Sequence, residues 1–199
     1  MKYHPILMST DMVRAILDGR KTQTRRVLKP QPTLTGGVRI ATLAGTGERW
    51  PFKCLTYKYF ASKCQCPYGR PGDRLWVRES FYVQPDIYHP DKPSPIHYKA
   101  DEDTGCLEDY VFKPSIFMPR WASRTTLEIT RIRAERVQDL SIDDVYAEGI
   151  KDSGLGVVDL LLSYAVLWDS INAKRGYSWE SNPLVWVIEF KIVEEETKW

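Results

Sequence analysis

Apolar residues along the chain fall into two helical stripes and a series of shorter strand-like runs. Met12, Val13, Ile16 and Leu17 share one helical face. Ser9 or Thr10 is available as N-cap, Asp11 suits the N-terminal dipole, and Gly19 stops the helix. Leu160, Leu161, Tyr164, Leu167, Trp168 and Ile171 form the second stripe, which reads as core packing. A shorter helix lies between Leu140 and Gly149, started by Ser141 with Asp144 three residues on in a capping-box arrangement. Ile6 to Met8, residues 50–60, 75–83 and 96–99 have strand character. Thr125 to Arg133 alternates, which predicts that Leu127, Ile129 and Arg131 share a face. Leu184 to Ile192 begins with a continuous apolar run, which predicts burial on both faces.

The intervening stretches read as loops. Pro30 to Gly47 is rich in Pro, Gly and Thr, residues 67–73 form a turn cluster, and residues 84–95 carry four prolines. Residues 101–109 are acidic, Asp152 to Gly156 is a glycine-rich loop, and Glu194 to Glu196 is a solvated end. The order strand, helix, several strands, two helices, strand predicts an α+β fold, a small β-barrel with flanking helices. The 199 residues suit one domain spanning 1–199.

Composition narrows the class. Hydrophobic residues make up 43% and charged residues 27%, as in an ordinary globular chain. No apolar run is long enough for a membrane helix, and the N-terminus lacks the apolar stretch of a secretory signal, so the cytoplasm is the expected location, with no membrane partner. The net charge of +2 conceals an asymmetry: residues 1–39 carry +6 and residues 134–199 carry −7. Such a basic front either orients the protein toward a phosphate-bearing partner or is neutralised by the acidic rear within the fold. Cys54, Cys64, Cys66 and Cys106 include one tight C-x-C pair, short of the two pairs usual in a zinc site. No dinucleotide, P-loop, zincin or nucleophile-elbow motif occurs, and His4, His89 and His97 are isolated. No metal or cofactor is expected.

Several blocks stand out together: Gly19-Arg20-Lys21-Thr22-Gln23-Thr24-Arg25 after a helix, Gly72-Asp73 before a strand, Leu140-Ser141 through Glu148-Gly149, and Trp186 to Lys191 at the end. This arrangement resembles the ASCH domain, a PUA-like β-barrel family linked to RNA. Within it, the blocks are similar to the small bacterial N4-acetylcytidine amidohydrolases. Cys66-Pro67-Tyr68-Gly69 and Pro119 to Arg124 are similar to a longer form found in phages and prophages. Against the compact family barrel, residues 29–71 and 80–115 look like two loop-rich insertions. The resemblance implies RNA, a nucleotide or a modified nucleoside as partner. It places an amidohydrolase's Lys, Thr and Glu on Lys21, Thr24 and Glu148. Arg26 departs from the pattern, standing where the enzymes carry an acidic residue.

Lys21 could serve as base toward the Thr24 hydroxyl once burial and neighbouring Arg20, Arg25 and Arg26 lower its pKa. Glu148 would orient Lys21 or protonate the leaving amine. Residues three apart on a straight strand face opposite sides, so Lys21 must lie in the turn for its stem to reach Thr24. Arg14, Arg25, Arg26, Lys29, Arg120, Arg124, Arg131 and Arg133 are candidate phosphate contacts, and Arg20 is a candidate nucleic-acid or substrate contact. Trp76, Arg78 and Glu79 are candidates for the barrel mouth, and Trp121 for stacking on a base. Plainer roles stay open: Lys21 as a C-terminal helix cation, Thr24 as a strand residue, Glu148 as a surface residue, Glu79 in a cross-strand ion pair and Trp121 as a buried ring. Three functions follow: an amidohydrolase of acylated nucleosides, a non-catalytic RNA or nucleotide-binding module, and a ribonuclease.

Overall fold

The structure is a computed structural model, and it describes residues 1–31, 33–35, 40–42, 49–51, 66–84, 94–101, 111–151 and 156–193. Ten strands and three α-helices are present among them. In chain order they are β1 (Tyr3–Leu7), α1 (Thr10–Leu17), β2 (Gln23–Val27), β3 (Thr33–Thr35), β4 (Ile40–Thr42), β5 (Arg49–Pro51), β6 (Arg74–Arg78), β7 (Phe81–Val83) and β8 (Ile96–Tyr98). There follow β9 (Thr126–Arg136), α2 (Ile142–Ala147), α3 (Val157–Asn172) and β10 (Leu184–Val193).

The fold is α+β. One mixed sheet has the order β1-β6-β9-β10-β2; β1 runs parallel to β6 and the other pairs are antiparallel. Its two edge strands are tied by a side chain, since Arg26 Nη2 on β2 donates to the Leu7 carbonyl at the end of β1 at 2.6 Å.

β10 divides the interior. Leu184, Trp186, Ile188 and Phe190 pack into one core with Val13 and Ile16 of α1 and with Leu75, Val77, Leu127 and Ile129. Val185 and Val187 point the other way, into a second core with Val145 of α2 and Leu160, Tyr164 and Trp168 of α3. The unbroken apolar start of β10 therefore serves two cores at once.

β9 departs from the sequence reading. Its pairing with β10 shifts between Ile129↔Phe190 and Arg131↔Glu189, leaving Thr130 as an extra, bulged residue. The bulge reverses the alternation. Ile132 and Ala134 then join Leu127 and Ile129 at the first core, while Arg131 is exposed. Arg131 therefore does not share the Leu127 and Ile129 face.

Pro30 to Gly47 also differs from a plain loop: β3, β4 and β5 form a separate three-stranded antiparallel sheet. The Pro and Gly content masked short Thr- and Ile-containing strands. Of α1's predicted apolar face, Val13 and Ile16 are buried and Leu17 is exposed. Cys54, Cys64, Cys106, residues 152–155 and Glu194 to Glu196 lie outside the described residues. Among the described residues, no helix is long and apolar enough to cross a membrane, and no group of three His, Cys, Asp or Glu is placed to hold a metal ion.

Candidate functional site

Lys21 stands between α1 and β2. Gly19 adopts φ 72° after the α1 C-cap, and the Ala15 carbonyl then accepts the N–H groups of Arg20 and Lys21, each at 2.9 Å. The chain turns directly onto the end of α2, where Lys21 forms an isolated bridge with Glu148 and Thr22 N–H donates to Ala147 O at 2.9 Å. Gly149 makes the approach possible. It has φ 88°, and a Cβ there would fall 2.8 Å from Ala15 Cβ and 3.1 Å from Lys21 Cβ.

Lys21 Nζ donates to the Glu148 backbone carbonyl and to Glu148 Oε2, both at 2.8 Å, and the side chains are almost wholly buried. Burial lowers the Lys21 pKa; Glu148 opposes the shift, and Arg26 and Arg25 add to it. The other Glu148 oxygen receives Arg25 Nη1 at 3.1 Å. Arg25 Nη2 lies 2.5 Å from Glu135 Oε1 and 3.2 Å from Asp144 Oδ2, and its side chain has no exposed surface. Arg25 is therefore a buried hub among three carboxylates, which corrects its reading as a phosphate contact.

The hub extends outward. Arg133 pairs with Glu135 at 3.0 Å, with Asp144 at 2.8 Å and with Glu189. Asp144 also caps α2, accepting the Ser141 N–H at 2.9 Å, and accepts the Gln23 side-chain amide at 3.0 Å. Burial opposes ionisation of Asp144, but hydrogen bonds from Ser141 and Gln23 and the Arg25 charge hold its carboxyl at about 2.

Lys21, Thr24, Arg25, Arg26 and Glu148 line one cavity of about 560 Å³. Leu7, Met8 and Met12, with Pro67, Tyr68 and Ser115, also line it, as do Tyr164, Trp168 and Ile171 of α3. Because β2 is an edge strand, residues from both of its faces reach this space. Part of the α3 stripe read as core packing thus walls the cavity. Tyr164 is the principal residue missed. Burial, reinforced by Glu148, raises its pKa well above the usual phenol value, so the hydroxyl stays protonated and available as a donor.

The remaining sequence candidates do not line the cavity. Arg20 donates to Asp18 at 2.7 Å and to Gly149 O at 3.0 Å. Glu79, 1% exposed, is gripped in a fork by Arg124 at 3.0 and 3.1 Å, and Arg124 also reaches Asp101 at 2.6 Å. Arg78 lies 5.4 Å from the Trp76 ring centroid and donates to Ile116 O. Arg120 stacks 4.0 Å over Tyr3. Trp121 is 55% exposed rather than buried. Trp76 and Arg78 belong to β6, Glu79 directly follows it, and Arg120, Trp121 and Arg124 lie in the segment between β8 and β9.

A crystal structure of an ASCH domain from Lactobacillus crispatus JV V101 aligns with TM-score 0.43 at 13% identity, covering 96% of this chain and 79% of that one. A DUF984 protein from Enterococcus faecalis V583 aligns with TM-score 0.42 at 11% identity, covering 90% of this chain and 65% of that one. No protein-family model and no curated protein matches the sequence.

Proposed function

We propose that the cavity takes a modified nucleobase and that Lys21, Thr24 and Glu148 hydrolyse an exocyclic acyl amide of the kind carried by N4-acetylcytidine. The supporting observation is that an amine just before β2, a hydroxyl on β2 and a carboxylate at the end of α2 line one cavity, with the amine 2.8 Å from the carboxylate. In this reading neutral Lys21 accepts the Thr24 hydroxyl proton as Oγ1 attacks the acyl carbon. Collapse breaks the C–N bond, the proton passes to the departing exocyclic nitrogen, and water then hydrolyses the threonine ester. The Tyr164 hydroxyl supplies a donor for the oxyanion.

Purified protein should release cytidine and acetate from N4-acetylcytidine or a related acylated nucleoside. Lys21→Ala and Thr24→Ala should each lower turnover by about 10²-fold or more. Absence of turnover above the Lys21→Ala background across a panel of acylated nucleosides would sink the reading. A non-catalytic RNA or nucleotide-binding role is the alternative. It is favoured by Lys21 Nζ already donating twice to Glu148. That role predicts binding of the same ligands with no product.

A further inference from the structure

The charges around the cavity are unevenly paired. Among the described residues, its lining contains a single carboxylate, Glu148, which is committed to Lys21 and Arg25. Arg26, Lys29 and Arg175 also line it, and among the described residues none of the three is in an ion pair. Arg26 spends Nη2 on the Leu7 carbonyl, while its Nε is buried with no hydrogen-bond partner. Lys29 is exposed and lies 5.3 Å from the Tyr177 ring centroid. Tyr177 is fixed by its carbonyl, which accepts Trp168 Nε1–H at 2.8 Å. Arg175 is exposed on the turn after α3.

Three cations therefore converge from two elements, the end of β2 and the turn after α3. Cations that share one cavity without a countercharge repel one another, and a neutral nucleoside supplies none. A phosphate dianion does, by accepting charge-assisted hydrogen bonds from guanidinium and ammonium groups. The cavity's volume falls within the ~300–1,000 Å³ of small-molecule sites, which suits one nucleotide.

We propose that the ligand is a phosphorylated nucleoside, a mononucleotide whose phosphate is held by Arg26, Lys29 and Arg175 at the mouth while its base enters toward Thr24 and Glu148. The placement of the base rests on the function proposed above; the phosphate site rests on the three cations.

Binding without turnover tests it. Calorimetric titration with cytidine 5′-monophosphate, cytidine, inorganic phosphate and a short cytidine-containing RNA should show the nucleotide binding at least about tenfold tighter than the nucleoside. Inorganic phosphate should compete with the nucleotide. In the Lys29→Gln/Arg175→Gln variant that preference should collapse to about twofold or less. Both side chains are exposed, so a matching thermal melt verifies the fold. Equal affinities for nucleotide and nucleoside, an unchanged preference in the double variant, or tight binding of the RNA alone would each overturn the proposal. The two readings fail separately. A nucleotide preference in protein that hydrolyses no acylated substrate removes the amidohydrolase and upholds the phosphate site. Turnover of acylated nucleosides with no gain from a 5′-phosphate does the reverse.

Discussion

Lys21 and Arg25 are both buried cations against the same carboxylate, yet they answer to opposite forces. For Lys21 desolvation prevails and the pKa falls. If Lys21 is the base, activity should rise as pH climbs through its folded-state pKa, and this ascending limb should lie below the ordinary lysine value of 10.5. Glu148→Gln removes the charge that opposes the shift, so the limb should move further toward acid; a limb unmoved in a pH–rate profile of that variant contradicts the assignment. Arg25→Met leaves Glu135, Asp144 and Glu148 without their shared cation, and should cost about 3–5 kcal/mol in urea unfolding. The residue types of Lys21, Thr24 and Glu148 were legible because they sit in recognisable blocks. The role of Arg25 was not, since nothing local distinguishes a solvated arginine from one enclosed by carboxylates distant in sequence. Tyr164 was hidden for a related reason: helical spacing marks an inward face and is silent on whether that face meets a core or a cavity.

At the scale of elements, the Thr130 bulge is what hands Arg133 and Glu135 to the polar network instead of the first core. Deleting Thr130 removes the extra residue and lets Arg131 follow Ile129 in the pairing with β10, so Ile132 and Ala134 keep their inward face, Arg133 and Glu135 stay in the polar network, and folded protein should be retained, as read by yield and circular dichroism. A bulge has no signature in the apolar pattern, whereas the capping box of α2 was readable from Ser141 and Asp144 alone. Asp144 couples that cap to pH. Its carboxyl titrates at about 2 in the fold against 3.8 in its unperturbed state. Its contribution is therefore complete where both states are ionised, above about pH 4–5, and is lost as pH falls through 2. Acid titration should show Asp144→Asn lacking that portion. Gly149→Ala should cost about 1–3 kcal/mol, because its Cβ collides with Ala15 and Lys21 at a backbone angle that disfavours side chains.

For the whole molecule, the α+β class and the order of the main elements followed from period and punctuation, since strands and helices bury faces of different repeat. The location of the cavity did not follow, because it depends on which strand ends up at the sheet edge. The amine and carboxylate are anchored by α1, β2 and α2, while Lys29, Pro67, Tyr68 and Ser115 reach the cavity from the long segments 29–71 and 80–115. The buried lysine–glutamate pair and this part of the cavity wall are thus supplied by different stretches of chain. Descendants of this sequence are free to rewrite the doorway, and with it the choice of visitor, while the lysine–glutamate clasp behind it stays as it was.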